Sequence, residues 1–405
     1  MSSKSIPIYL IIASILFLSG CWSQKEINEL AIISAMSIDK NEEGQYVKTL
    51  QLINPSNVAG GLQGGGGGQN PAITVYTSIG DSVLEAHFNA TSKISRKLYH
   101  AHANLIVLSE EVAQEDGLEN ILDAFERDPE IRPTAKLVIA HNSKAGDLLK
   151  SLTTVDKIPA EKVNGTLEYT QQSRGANMEV TLQDVIKALT SEGKEPIISG
   201  TSMKGDIEQG KKMENIQKSE LDTYLEADGL AIFKEGKLID WYQDDMAKGV
   251  IWILDKIKET DVELNREGKK NAIVYNVIRQ KTKVSADVIN DIPTITINVR
   301  AEGDIREVRT PINLKDPKVI LELEKELEKK IKTILEDTVK RTQQNKTDIF
   351  GFGEEVHRSN PKKWGKMKDD WNNNYFPNLN VQVKVEAFVR RSGLRTNSYF
   401  SDMEK

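Results

Sequence analysis

Apolar positions along this chain recur mostly with a period of two or of about 3.6, and one unbroken apolar run stands at the amino terminus. Residues 30–39 (LAIISAMSID) and 46–53 (YVKTLQLI) read as strands, and the polar stretch 40–45 with Gly44 predicts a hairpin between them. Val83, Ala86, His87, Ala90 and Ile94 fall at helical spacing within 82–98, which predicts an amphipathic helix leading into a strand at 104–108. Residues 118–125 suit a helix closed by Asp128-Pro129, 136–140 a buried strand, and 147–152 and 182–189 further helical pieces. This pattern fades near Gly200.

Residues 201–220 are polar, which predicts a linker or an exposed hairpin. A clear hairpin signal follows at 229–233 and 238–241 around Lys234-Glu235-Gly236-Lys237. A helix is then expected over 244–258, with Val250, Ile251, Leu254 and Ile257 on one face. Alternation over 272–284, over 294–299 and at Val381, Val383, Val385, Ala387 and Val389 predicts three strands of a half-buried antiparallel sheet. The strongest helix signal spans 317–343. Asp316 is its N-cap, Pro317 its first residue, and Ile320, Leu323, Leu327, Ile331, Ile334 and Thr338 form its stripe. At 1.5 Å per residue it is about 40 Å long, most simply a cover for that sheet; a coiled-coil partner is the less favoured reading. The expected fold class is α+β: three mixed α/β domains with largely antiparallel sheets, at 21–200, 201–265 and 266–405, after a signal segment at 1–20.

The amino-terminal run covers 6–18, follows Lys4 and precedes the small residues Ser19 and Gly20. It is shorter than the roughly 20 apolar residues a membrane-spanning helix needs, so a cleaved secretory signal is the better reading. The junction Leu18-Ser19-Gly20-Cys21 resembles the bacterial lipobox. In that pathway the cysteine thiol receives a diacylglycerol through a thioether. Cleavage after Gly20 would then make Cys21 the N-terminus, which is N-acylated in turn. The plainer alternative is an ordinary signal peptide with a chance cysteine. A single acyl chain anchors only marginally, whereas two or more hold stably.

Lys and Arg number 54 against 60 Asp and Glu, a net charge of −6 in 405 residues. Removing Lys4 with the signal makes it −7, so nothing in the charge attracts nucleic acid or anionic lipid, and a nucleic-acid role is disfavoured. Cys21 is the sole cysteine, which excludes intramolecular disulfides, cysteine-based zinc sites and CxxC redox chemistry.

Candidate chemistry is sparse. Seven of the 27 glycines fall in 60–68, but Gln69-Asn70-Pro71 follows instead of the Lys-Ser/Thr of a phosphate loop, so this reads as an exposed flexible loop. His100 and His102 would share one face of an extended strand and, with His87, could suggest a metal site. Without HExxH spacing or cysteine, structural histidines are the favoured reading. Glu110-Glu111, Asp244-Asp245 and Asp369-Asp370 are neighbours at helix ends or loops, where solvation and helix dipoles explain them. No GxSxG nucleophile motif occurs. No catalytic residue, metal site or cofactor is therefore expected. Arg358, Lys362, Lys363, Lys366 and Lys368 interleave with Trp364 and precede Trp371, Tyr375 and Phe376. The favoured reading is a solvated surface with both tryptophans on a shared buried face; a partner or lipid surface is the minority reading.

Several segments together resemble the C-subunit lipoproteins of bacterial spore germinant receptors, the Ger(x)C family. They begin with the lipobox into Cys21-Trp22 and Glu26-Ile27-Asn28-Glu29-Leu30-Ala31, with Asp39 closing the first strand. Gly229-Leu230-Ala231-Ile232-Phe233-Lys234 with Lys237-Leu238 comes next, then Asp348-Ile349-Phe350-Gly351-Phe352-Gly353-Glu354 with Trp364 and Trp371, and finally Arg390-Arg391-Ser392-Gly393-Leu394. The chain departs from the family in its polyglycine loop at 64–68, and in Asp240-Trp241-Tyr242 where Gly-Trp-Leu is commoner. The resemblance implies a non-enzymatic protein anchored through Cys21 on the extracytoplasmic face of the cell membrane, in a spore the inner membrane. It would assemble with the integral-membrane A and B subunits into a nutrient receptor, with the B subunit as the expected nutrient binder. The alternative function is a solute-binding lipoprotein that delivers a small molecule to a transporter.

Overall fold

The computed structural model describes residues 26–59 and 70–391. Cys21, the glycine-rich 60–69 and Ser392-Gly393-Leu394 lie outside the described residues.

Nine strands form the first sheet. They are β1 (Leu30–Lys40), β2 (Tyr46–Ile53), β3 (Ile73–Gly80), β4 (Lys97–Tyr99), β5 (Leu105–Ser109), β6 (Lys136–Ala140), β7 (Ile197–Gly205), β8 (Thr223–Lys234) and β9 (Lys237–Tyr242). The order is β3-β2-β1-β5-β6-β7-β8-β9, with β4 beside the start of β1. Its centre is parallel, β1 to β5 to β6 to β7, and antiparallel hairpins extend both sides. The central strands LIVLS and KLVIA are almost wholly buried, as continuous apolar runs in a parallel core require. Helices cover both faces: α1 (Val83–Thr91), α2 (Glu110–Glu115), α3 (Leu118–Glu126), α4 (Ala145–Lys150), α5 (Pro159–Ser173) and α6 (Leu182–Leu189). α6 begins with a capping box in which Thr181 and Asp184 satisfy each other's backbone N–H groups.

After α7 (Asp244–Ile253), the second sheet runs β10 (Thr260–Arg266), β11 (Lys269–Ile289), β12 (Ile292–Val308) and β13 (Asn380–Arg391). The long helix α8 (Pro317–Asn345) packs on β13 and β10 and against α7. Asp316 caps it through Lys318 N, and the buried face carries Leu323, Leu327, Ile331, Ile334, Leu335, Thr338, Val339 and Thr342, the stripe expected from the sequence. Two short helices, α9 (Phe352–Ser359) and α10 (Pro361–Met367), lead back to β13.

The fold is α+β, as expected, with several differences of detail. β12 and β13 pair in parallel, not antiparallel. Alternation reports which face is buried and says nothing of direction, and the excursion through α8, α9 and α10 brings β13 back beside β12 running the same way. The hairpin assigned to a separate middle unit continues the first sheet, since β8 pairs with β7, and the expected boundary at 200/201 falls inside β7. The polar stretch 201–220 is no linker. It finishes β7 and continues through Ile207–Gly210 and Met213–Ile216, pinned where buried Asn215 and Thr223 exchange hydrogen bonds at 3.1 Å, Asn215 Nδ2 to Thr223 O and Thr223 N to Asn215 Oδ1. Hydropathy cannot register a polar segment satisfied in this way. The helix expected over 82–98 stops at Thr91 and yields to β4.

Candidate functional site at the seam of the two sheets

Most residues singled out by sequence reasoning have structural work. His100 and His102 lie in a 3₁₀ turn rather than an extended strand, so they do not share a face. His102 is exposed, its ring against Tyr99. His100 is buried 5.0 Å from His87 between ring centroids, with Nδ1 3.6 Å from Asp128. Burial pushes its pKa down to about 4, so it is neutral near pH 7. Among the described residues no group of three or more His, Cys, Asp or Glu could hold a metal. Glu110-Glu111 and Asp244-Asp245 occupy the first turns of α2 and α7, and Asp369-Asp370 a 3₁₀ turn. Trp364 and Trp371 are buried edge to face at 5.2 Å, while Lys368 pairs with Glu192, Lys363 with Asp291 and Arg358 with Glu355. The shared buried face is thus the reading that holds.

The residues that organise the molecule are two buried aspartates that reading for catalytic motifs passed over. Asp39, near the end of β1, accepts from Ala145 N at 2.7 Å and Gly146 N at 2.8 Å at the start of α4. Burial raises its pKa while those two N–H groups oppose the rise. Asp348 is wholly buried. Its Oδ1 accepts from Phe350 N at 3.2 Å, Gly351 N at 2.9 Å and Phe352 N at 3.1 Å. Its Oδ2 accepts from Gly353 N at 2.7 Å and Trp371 Nε1 at 2.8 Å. The sequence DIFGFG supplies this cradle because Gly351 takes φ +78°, which turns successive N–H groups onto one carboxylate ahead of α9. Burial nevertheless pushes the Asp348 pKa up to about 6.

The cradle is fastened to the first sheet. Glu195 N donates to Asp348 O at 2.8 Å, and Thr347 Oγ1 donates to Phe233 O at 2.6 Å. The Glu195 carboxyl accepts from Asn372 Nδ2 at 2.8 Å and Glu235 N at 3.1 Å. Its pKa is pushed up to about 7, chiefly by burial, with Asp348 adding to the rise. Gly193, Gly353 and Trp364 interlock so closely that a Cβ on Gly193 would stand 2.6 Å from the Trp364 ring and 2.8 Å from Gly353 Cα. Further along the seam, Asp240 meets Arg341 and Asn345 Nδ2 of α8, each at 2.8 Å, and the Tyr242 hydroxyl lies 3.1 Å from Thr342 Oγ1. The Asp240-Trp241-Tyr242 segment that departs from the family pattern therefore ties β9 to the long helix. The strongly perturbed carboxyls along this seam are spent on backbone N–H groups and loop closure, an arrangement that holds parts together.

Comparison with known proteins accords with this architecture. Residues 23–203 match the family described as "Spore germination protein N-terminal domain", and residues 228–393 match "Spore germination B3/ GerAC like, C-terminal". The chain is 43% identical over 398 residues to spore germination protein KC of Bacillus subtilis, covering 98% of both chains. It is 24% identical to spore germination protein B3 of the same species, over 91% of this chain and 92% of that one. It is also 24% identical to spore germination protein GerQC of Bacillus cereus, over 93% and 96%. The crystal structure of the GerBC protein superposes with a TM-score of 0.56 at 18% identity, covering 88% of this chain and 97% of that one, and so shares its fold. With near-complete coverage at 43% identity and both family segments in order, the chain belongs to the spore germination B3/GerAC family, the Ger(x)C proteins.

Proposed function

We propose that this chain is the C subunit of a spore germinant receptor. In this reading it is a non-enzymatic protein held on the extracytoplasmic face of the membrane by lipidated Cys21 and assembled there with two integral-membrane subunits. The observation that carries the reading is the likeness to spore germination protein KC along almost the whole of both chains. Two features support it. Among the described residues no helix is long and apolar enough to cross a membrane, and the lipobox junction at Cys21 offers a place for a lipid anchor. The buried carboxyls at the seam are committed to holding backbone, which suits a scaffold. Confinement to the membrane plane raises the effective concentration of the domains for partners embedded beside them. The relatives' names favour this reading over solute delivery to a transporter.

Cys21→Ala tests the anchor. The variant is expected to carry no lipid, by mass spectrometry of the purified chain, with nutrient-triggered germination lost. A variant that stays with the membrane and germinates normally overturns the anchored-subunit reading.

A further inference from the structure

The first sheet has one end from which the chain leads back toward Cys21. β1, β5, β6 and β7 run parallel, so their starts lie together. The antiparallel β2 ends beside the start of β1, and β3 begins beside the end of β2. The described chain enters β1 there through a single 3₁₀ turn, Ile27–Glu29. Glu26 stands five residues after Cys21, a reach of at most about 18 Å. At this end lies a pocket of about 320 Å³. Ile32 of β1, Leu52 of β2, Tyr76 of β3 and Ile94 give it apolar walls, and the loop before β4 adds Ser95 and Arg96. Arg96 is the sole charged residue of the lining, which holds no carboxylate. Its side chain is exposed and forms no hydrogen bond or ion pair with any described residue, Glu26 and Glu29 of the entering turn included. An unneutralised guanidinium at the rim of an apolar pocket suits a ligand that is anionic at one end and apolar at the other.

We propose that this pocket takes the headgroup of a membrane phospholipid. Arg96 holds the phosphodiester, and Ile32, Leu52, Tyr76 and Ile94 lie against the glycerol and the first carbons of the acyl chains. A guanidinium pairs with phosphate through two parallel N–H···O bonds, and the hydroxyls of Ser56 and Ser95, also in the lining, are free to donate. Two observations choose this occupant. The lining carries positive charge with no acid to oppose it, and a tether of five residues keeps the pocket close to whatever surface holds Cys21. The volume suits a headgroup with its glycerol and leaves the acyl tails outside. The chain's net charge of −6 gives no general attraction to a bilayer, so the contact is local. The tether confines the domain, and Arg96 fixes which end of the first sheet faces the lipid. The choice of occupant rests on the lipid-anchored reading, while the test below does not use the anchor.

Native mass spectrometry of the purified full chain in detergent, with dihexanoylphosphatidylglycerol as probe, tests it whatever the state of Cys21, so failure here and failure of the anchor are separate results. One saturable adduct per chain is expected. Arg96→Gln should weaken it by about tenfold or more with an unchanged thermal midpoint, because the side chain is exposed and unpaired among the described residues. Lys97→Gln removes the adjacent exposed cation, which lies outside the lining, and should change binding by less than about twofold. Dihexanoylglycerol, which lacks the phosphate, and inorganic phosphate, which lacks the apolar part, should each bind at least about tenfold more weakly. Absence of the adduct, binding indifferent to Arg96→Gln, an equal loss from Lys97→Gln, or either fragment bound as tightly as the lipid would each overturn the proposal.

Discussion

The backbone N–H of Glu195 donates to the carbonyl oxygen of Asp348 at 2.8 Å, and Asn372 joins the same two residues a second time. Its Nδ2 reaches Glu195 Oε1 at 2.8 Å, and its Oδ1 takes Asp348 N at 3.2 Å. Two carboxyls whose pKa values burial has pushed up, to about 7 and about 6, thus belong to one network spanning the seam. Whatever protonates one of them acts on the contact between the first sheet and the cradle loop.

A pH dependence of stability follows with a definite sign. Each carboxyl is raised above its ordinary value, 4.5 for Glu195 and 3.8 for Asp348, so between those values and the folded ones the folded state holds more protons than the unfolded chain. Stability is therefore fully present below about pH 4 and is lost as pH rises through about 6 to 7. Neutral, buried His100 opposes this below about pH 6.5, so the fall in the urea midpoint of the full chain is expected to be clearest between about pH 6.5 and pH 8. Glu195→Gln, which mimics the neutral acid, should flatten the part of that decline between pH 6 and 7.5. A midpoint that climbs steadily from pH 5 to pH 8 contradicts this assignment.

Asp348→Asn keeps the size of the side chain and removes an acceptor where five N–H donors converge. The amide Oδ1 can still receive Phe350, Gly351 and Phe352, but its NH₂ then faces the donors of Gly353 and Trp371. The expected loss is about 2–4 kcal/mol, read from the urea midpoint at pH 7.5. Trp371→Phe removes only one donor and should cost less through this network, though it also gives up the edge-to-face contact with Trp364.

Periodicity made much of this legible. The α8 stripe, the buried face of α1 and the alternating strands of the second sheet sit where the spacing of Leu323, Ala86 and Val383 puts them, because each element buries one face. What periodicity could not show was direction and satisfaction. The parallel pairing of β12 with β13 depends on the path between them, and the 201–220 segment hides its order in the reciprocal bonds of Asn215 and Thr223. The cradle was noticed only as a family motif. An aspartate followed by two glycines at Gly351 and Gly353 carries the physical signal of a backbone nest, yet reading for catalysis looks for paired carboxylates and passes over a lone one.

The link between β9 and α8 should be weak in its charge and measurable in its coupling. Asp240 is largely covered while Arg341 is half exposed, so solvent screens much of the pair. Asp240→Ala is expected to cost about 1–2 kcal/mol because Trp241 N loses its acceptor and Asn345 Nδ2 one of its two as well. A double-mutant cycle with Arg341→Ala should assign under about 1 kcal/mol to the ion pair itself. A larger coupling would mean the pair is better shielded than its exposure indicates.

Helix α7 meets α8 where Gly249 faces Thr338, and a Cβ built on Gly249 would come within 2.0 Å of Thr338 Oγ1 and 3.3 Å of Ile334 O. Alanine is the better helix former, so an unconstrained Gly249→Ala would stabilise by up to about 1 kcal/mol. Here the helices must move apart, and overpacking of this kind costs about 1–3 kcal/mol, so the net effect should be destabilising. Thr338 Oγ1 already bonds back to Ile334 O at 2.7 Å within its own helix, so Thr338→Ala removes the nearest clashing atom without leaving a buried acceptor unserved by the helix ladder, while its Cβ stays 2.9 Å from the new methyl. Combining the two substitutions should recover part of the loss, and the urea midpoints of the two single variants and the double variant measure it. Additive losses in the double variant would place the constraint on Gly249 elsewhere than at the α7–α8 contact.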